Sequence, residues 1–288
     1  MNDNRLSAAL TQYLKMSVGV ALAEDVGTGD LTAALVPDTQ RAQARVVTRE
    51  DCVVCGQPWF DEVFAQTDAT VAVDWKVDEG DRAAAGDELC DLSGPARAVL
   101  TGERTALNFL QLLSATATAA RRYVDAVSGT SATVLDTRKT LPGLRLAQKY
   151  AVRVGGAENH RIGLYDAILI KENHIAAAGG IGPAVNNATK QGRKVLVEVE
   201  VENLDQLAET LATDAHRVLL DNFSTSGMAK AVMMRNERNA NVKLEASGGI
   251  TLDNVREVAE SGIDYISIGA LTKDVRAIDL SMRFEMQG

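Results

Sequence analysis

Arg138, Lys139 and Arg145 fall within eight positions, and His160, Arg161 and Lys171 follow soon after. The whole chain carries 30 Lys and Arg against 39 Asp and Glu, a formal net charge of −9. These cations are therefore a local concentration in an acidic protein, which matches a ligand bearing several negative charges. Arginine's planar fork takes carboxylate or phosphate bidentately, and lysine supplies a movable point charge. Arg145 is the member least tied to the group, since a surface ion pair on a helix accounts for it equally well. Two acids come next, Glu200 and Asp221. They are oxygen ligands with no Cys–His cluster nearby, which suits Mg2+ over Zn2+, and they can equally hold sugar hydroxyls. Last come two small-residue segments, Ser247-Gly248-Gly249 and Ile268-Gly269-Ala270. Glycine lets backbone N–H groups approach a phosphate, and a helix beginning near Thr251 would add its positive end. Glu198, on the same strand parity as Glu200, reads as a structural acid paired with a lysine in the interior.

The elements that must position these residues are visible as a repeat of textures. Short β-rich apolar runs occupy 132–135, 167–170, 195–199, 218–220, 242–244 and 265–268. Nearly unbroken runs of this kind belong to strands covered on both faces. Between them, apolar residues recur at helical spacing, as in Leu204, Leu207 and Leu211 or Val255, Val258 and Ala259. Strand–helix–strand repetition predicts right-handed crossovers and a parallel sheet, closed as a barrel or open and doubly wound. Ligands bind such sheets where strands hand over to the following loops, and barrels often hold a phosphate on their last two strands. The six runs exit in order into Asp136-Thr137-Arg138-Lys139, Lys171-Glu172-Asn173-His174, Glu200, Asp221-Asn222, Ser247-Gly248-Gly249 and Gly269-Ala270. One polar exit means little. Six exits sorted into cations, then acids, then small residues predict a site.

The first part of the chain reads as an α+β region. Helical patterning covers 5–24, half-buried strands cover 42–54 and 70–92, and a long helix covers 95–113. Arg104 interrupts the apolar stripe of that last helix between Leu100 and Leu107. Asp25 to Asp30 has the look of a calcium loop without its downstream glutamate, so a capping turn is the better reading. Cys52-Val53-Val54-Cys55 lies in a strand-like run without a second pair, and Cys90 is isolated, so all three thiols read as packing residues. His174 and His216 have no partner at this level.

Composition bounds the class. At 46% hydrophobic and 24% charged residues over 288 positions, the chain reads as globular. Its acidity argues against nucleic-acid or anionic-membrane binding. The uncharged stretch 105–120 contains Thr, Asn, Gln and Ser, the amino terminus lacks a secretion signal, and three cysteines make no disulfide framework. A cytoplasmic protein is the expectation.

Several stretches together resemble the quinolinate phosphoribosyltransferase family. They are Glu24-Asp25-Val26-Gly27-Thr28-Gly29-Asp30-Leu31-Thr32, Glu103-Arg104-Thr105-Ala106-Leu107-Asn108, Asp136-Thr137-Arg138-Lys139-Thr140-Leu141-Pro142-Gly143-Leu144-Arg145, Asn159-His160-Arg161, Leu169-Ile170-Lys171-Glu172-Asn173-His174, Glu198-Val199-Glu200 and Glu245-Ala246-Ser247-Gly248-Gly249-Ile250. The resemblance implies an N-terminal α/β sandwich domain over 1–115, an atypical incomplete α/β barrel over 116–275, and a tail, 276–288, that returns to the first domain. It implies a reaction in NAD biosynthesis: quinolinate displaces pyrophosphate from phosphoribosyl pyrophosphate, loses its 2-carboxylate as CO2, and leaves nicotinate mononucleotide. Arg138, His160, Arg161 and Lys171 would hold quinolinate, joined by Arg104 from the partner chain of a homodimer. Lys139 would sit between quinolinate and pyrophosphate, near Thr137. Glu200 and Asp221 would meet ribose hydroxyls or Mg2+, and Ser247, Gly248, Gly249, Ile268, Gly269 and Ala270 would surround the 5′-phosphate. The chain departs from the family at Ala157 and Ala115, where glycine is usual, and at Gln148, where glutamate is common.

Four other readings compete. A molybdenum-transport-associated paralogue would share the fold and take a different acceptor. A nicotinate-using transferase calls for fewer cations, and a scaffold built on an inactivated barrel predicts eroded exits. A sugar-phosphate aldolase with Lys171 as Schiff-base lysine leaves Arg104, Arg138 and Arg161 without a role.

Overall fold

Ser7 starts the first helix, its hydroxyl accepting the Leu10 N–H at 3.2 Å. The structure, a computed structural model, describes residues 6–190 and 194–286. In chain order the elements begin α1 (Ala8–Val26), β1 (Arg41–Thr48), β2 (Cys52–Val53), α2 (Gln57–Thr67), β3 (Ala72–Trp75), β4 (Arg82–Ala83), β5 (Glu88–Pro95) and α3 (Ala96–Ala126). They continue β6 (Thr133–Leu135), α4 (Arg145–Val154), β7 (Ala167–Ile170), α5 (Glu172–Ala178), α6 (Ile181–Lys190), β8 (Leu196–Val201) and α7 (Leu204–Thr210). The last are β9 (Arg217–Asp221), α8 (Thr225–Arg238), β10 (Lys243–Ser247), α9 (Val255–Glu260), β11 (Tyr265–Ser267), α10 (Ala270–Lys273) and β12 (Leu280–Met286). No helix among the described residues is long and apolar enough to cross a membrane.

Two compact units result, one of Met1–Ala119, Leu141–Gly155 and Asp274–Gly288, the other of Ala120–Thr140 and Gly156–Lys273. In the first, an antiparallel sheet of order β12-β1-β5-β3 carries the core, with β12 paired to β1 from Leu280 opposite Thr48 to Met286 opposite Ala42. Trp59, Phe60, Val63 and Phe64 of α2 are buried in that core with Leu14 and Val18 of α1. The Glu79 carboxylate caps α2, accepting the Gly56 and Gln57 N–H groups at 2.8 and 3.1 Å.

Two sequence expectations change here. The helix expected over 95–113 runs on to Ala126, because its apolar stripe continues through Ala117, Ala120 and Tyr123 and no glycine intervenes until Gly129. The segment 141–155, expected within the barrel, belongs to the first unit. Its helix α4 turns Ala147 and Ala151 into that unit's core, and Tyr150 packs on Trp59 with ring centroids 5.3 Å apart.

In the second unit, six parallel strands of the described residues form one sheet of order β6-β11-β10-β9-β8-β7. Each strand from β7 to β11 neighbours the next in sequence, and the last returns beside the first. That is the cyclic order of a barrel with one open seam, between β6 and β7, where Glu158 makes a parallel bridge to Leu135. The middles of β8, β9 and β10 are buried, as strands covered on both faces must be.

Candidate active site

Parallel pairing brings the strand ends to one edge. Val199 lies opposite Ile170, Glu200 opposite Leu219, Asp221 opposite Ser247, Ala246 opposite Ile266, and Ser267 opposite Leu135. Lys171, Glu200, Asp221, Ser247, Ile268 and Asp136 therefore sit along a single rim, although they are spread over the sequence from position 136 to position 268.

The β6 end is built on a buried carboxylate. Asp136 accepts the His160 N–H and the Asn159 amide, each at 2.8 Å, which ties the connection before β7 to the end of β6. His160 and Arg161 reach the rim this way, from a loop that no strand precedes. Thr137 accepts the Lys139 N–H at 3.0 Å, and Thr272 donates to the Lys139 carbonyl at 2.8 Å. A side chain at Gly269 would lie 3.3 Å from Lys139 Cδ and 3.9 Å from Thr137 Oγ1, so Thr137, Lys139 and Gly269 share one corner. Arg161 donates to the Ala167 carbonyl at 3.3 Å. Burial holds its guanidinium below the usual arginine range, and the like charge of Arg138 pushes it the same way. Two guanidiniums thus share one partly buried corner, which an anion would relieve. The Lys171 ammonium is ion-paired with Glu200.

Further along the rim, Asp221 and Ser247 meet through Asn222. Asn222 donates its side-chain amide to Asp221 Oδ2 at 3.0 Å and its backbone N–H to the Ser247 carbonyl at 2.9 Å. Gly248 and Gly249 both have positive φ, 97° and 62°, so their turn depends on glycine. The helix expected near Thr251 begins at Val255 instead. Asn254 accepts the Thr251 N–H at 2.8 Å and donates to the Gly249 carbonyl at 3.1 Å, which holds this stretch as a turn. Any anion here would be met by loop amides, with no helix end at Gly249. At the other small-residue segment, α10 starts directly after Gly269 with Ala270.

Beneath the rim lies a charged network that the sequence analysis misses. Glu198, expected to pair with a lysine, pairs with His160, Nε2 to Oε2 at 3.0 Å. Glu245 stands 3.4 Å from the same nitrogen and receives Arg217 Nη1 at 2.9 Å. Arg217 in turn lies on the Tyr265 ring, 4.1 Å from its centroid. Burial disfavours charge on His160, yet its contacts with Glu198 and Glu245 outweigh that and push the ring up to about 9. The Arg161 N–H points at His160 Nδ1 from 2.8 Å, and Nε2 faces the acids. Burial raises the Glu198 pKa, whereas His160 and Arg217 hold that of Glu245 below the usual glutamate range against its own burial. These are the three ligand-type side chains of the described residues whose donor atoms converge within 4.8 Å. Charge pairing with His160 and Arg217 accounts for that convergence. The signal available in the sequence was parity: acids at 198 and 245 in otherwise apolar runs need an interior partner.

The other singled-out residues are placed elsewhere. Arg104 is exposed on α3, and Arg145 opens α4, both in the first unit. His174 accepts the Lys171 N–H and His216 the Val197 N–H, each through Nδ1 at 3.0 Å, so both serve the backbone. Asp30 caps the turn after α1, accepting the Thr32 and Ala33 N–H groups at 2.9 Å. Cys52, Cys55 and Cys90 are free and buried. Ala157 is buried without positive φ, so its position makes no demand for glycine.

A family model described as quinolinate phosphoribosyl transferase, C-terminal domain, matches residues 116–283, and the N-terminal domain model of the same name matches residues 30–114. A carboxylating nicotinate-nucleotide pyrophosphorylase of Mycobacterium leprae is 43% identical over 268 residues, 91% of this chain and 94% of that one. A probable carboxylating nicotinate-nucleotide pyrophosphorylase of Bacillus subtilis is 40% identical over 270 residues, 93% of this chain and 92% of that one. The solved nicotinate-nucleotide pyrophosphorylase of Francisella tularensis superposes with a TM-score of 0.93 at 45% identity, covering 98% of each chain.

Proposed function

We propose, from the premise that this chain belongs to the quinolinate phosphoribosyl transferase family, the following division of labour along its rim. The chain is a phosphoribosyltransferase of NAD biosynthesis that converts quinolinate and phosphoribosyl pyrophosphate to nicotinate mononucleotide, pyrophosphate and CO2. The observation that supports the residue assignments is the common edge itself, with cations flanking the seam between β6 and β7 and the glycine turn following β10.

Arg138, Arg161 and Lys171 bind the dicarboxylate, and His160, expected among them, instead supports the corner from below, its ring taken up by Glu198, Glu245 and the Arg161 N–H. Pairing Lys171 with an incoming carboxylate draws it away from Glu200, freeing that acid to face the sugar. Lys139, in the corner with Thr137 and Gly269, meets both the acceptor and the leaving pyrophosphate. Breaking the anomeric bond builds positive charge on the ribose, which Glu200 and Asp221 stabilise electrostatically. Ser247, Gly248 and Gly249, with Ile268, Gly269 and Ala270, hold the 5′-phosphate. Once the ring nitrogen is quaternised it stabilises the carbanion left by CO2, so no protein nucleophile is required. The work of the protein is positioning.

Glu200 and Asp221 end adjacent strands as hard oxygen donors, a set that fits Mg2+ with phosphate oxygens and water completing its shell. Bound there, Mg2+ would supply charge neutralisation for pyrophosphate. Self-association is supported by Met16, Val20, Leu31 and Leu35, large apolar residues exposed on the first unit. In such a homodimer Arg104 of one copy would complete the acceptor site of the other.

The test is turnover. Purified protein with quinolinate, phosphoribosyl pyrophosphate and Mg2+ releases CO2 and nicotinate mononucleotide stoichiometrically, and Arg161→Ala weakens quinolinate far more than nicotinate. Absence of CO2, or equal losses for both acids, would reject the assignment.

A further inference from the structure

We propose that Asn222 is a positioning residue for the sugar-phosphate half of the site, joining the Asp221 carboxylate to the Ser247–Gly249 turn as one rigid unit. The inference rests on the functional reading above and concerns a residue to which that reading gives no role.

Four observations carry it. Asn222 is the one non-glycine residue with positive φ among the described residues, at 56°. Asparagine tolerates that left-handed conformation better than most residues. The conformation turns the side chain back along the rim, where its amide donates to Asp221 Oδ2 at 3.0 Å. An ionised carboxylate accepts only, so the amide nitrogen must be the group that faces it. The same backbone turn sends the Asn222 N–H to the Ser247 carbonyl at 2.9 Å, immediately before the two glycines. Finally, a Cβ at Gly248 would lie 2.1 Å from Asn222 Oδ1 and 3.1 Å from Asn222 N. The glycine at 248 is thus demanded twice, by its own φ of 97° and by the Asn222 side chain against it.

The consequence is a fixed relation between two groups that must grip opposite parts of one ligand. Asp221 faces ribose hydroxyls while the 247–249 amides face the phosphate on the same sugar. Without the amide, Asp221 can rotate away from the ribose, and Gly248 gains room to relax. Neither change reaches Arg138, Arg161 or His160, which are built on Asp136 and the loop before β7.

The experiment compares Asn222→Gly with wild type by calorimetric titration of phosphoribosyl pyrophosphate with Mg2+, titration of quinolinate alone, and thermal melting. Glycine keeps the backbone conformation and deletes the amide. The expected result is at least tenfold weaker phosphoribosyl pyrophosphate binding, from loss of a hydrogen bond to a charged group. Quinolinate affinity stays within about twofold. Asn222→Asp, which keeps size and left-handed tolerance but sets a second carboxylate against Asp221, loses at least as much and serves if the glycine variant does not fold. Unchanged phosphoribosyl pyrophosphate affinity in both variants, or parallel losses in both ligands and in melting temperature, overturns the inference. A wild type that binds no phosphoribosyl pyrophosphate overturns the functional reading and this inference with it.

Discussion

Replacing Arg217 by methionine should destabilise the second unit far more than its distance from any substrate would imply. Glu245 is fully buried, and Arg217 Nη1 lies 2.9 Å from its carboxylate. At an effective dielectric of about 20 that separation corresponds to a gross attraction of about 6 kcal/mol. Most of this offsets the desolvation of the two ions, so the net value of the intact pair is small. Removing one partner is different, because it strands a buried charge whose other contact is His160 at 3.4 Å. The loss should be about 3–5 kcal/mol, with ~0.5–1 kcal/mol more from the contact with Tyr265. A drop of roughly 8–16 °C in Tm follows for a unit of this size. Both tryptophans, Trp59 and Trp75, belong to the first unit. Urea unfolding is therefore best followed by far-UV circular dichroism. Arg217→Met with Glu245→Leu removes both charges and should recover to within about 1 kcal/mol of wild type. The single variant's deficit should also shrink as pH falls and the stranded carboxylate takes up a proton. A single variant within 1 kcal/mol of wild type, or a double variant no better than the single, would refute this account of the barrel interior.

Two further outcomes follow from the same coordinates. Asp264 accepts the Leu244 N–H at 2.9 Å and is paired with Arg235 and Lys243. Although burial works against it, these contacts hold its carboxyl below the usual 3.8. The stability it contributes is fully present above that ordinary value and disappears as pH falls through the depressed one. Asp264→Asn should cost about 1–3 kcal/mol near pH 7 and almost nothing at pH 2, read from urea midpoints across pH. For Arg104, subunit mixing decides between a role in its own copy and one in its neighbour's. Arg104→Ala and Lys171→Ala should each be inactive, and co-refolded mixtures should regain about a quarter of wild-type turnover if a two-fold dimer shares its sites. No recovery on mixing excludes the shared site.

How much of this was legible beforehand depends on whether a residue's partner is near it in sequence or only in the closed sheet. Strand exits were readable because an apolar run must end somewhere, and Lys171, Glu200, Asp221 and Ser247 each follow or end such a run. Parity made Glu198 readable as an interior acid. Its partner was not readable, because His160 arrives from a loop pinned by Asp136 and only the finished barrel brings the two together. Arg217 opens a strand and looks like any charged strand start until the register sets it beside Glu198, one strand from Glu245. The 141–155 excursion was hidden for the same reason. Nothing local says that Tyr150 will meet Trp59, 91 positions earlier.

The interior network also explains how an acidic chain can present so cationic a rim. Arg161 is disfavoured by burial and by Arg138, and favoured by the field of Glu198 and Asp166. Asp166 additionally fixes the loop, accepting the Ile162 and Gly163 N–H groups at 2.7 and 2.8 Å. The acids below the rim therefore offset the cations only in part. What remains is a positive imbalance at the corner that Arg138 and Arg161 share. A dicarboxylate together with a pyrophosphate group completes that balance, whereas a monocarboxylate leaves part of it standing. Preference for a doubly charged acceptor is the outcome that this arrangement of charges predicts.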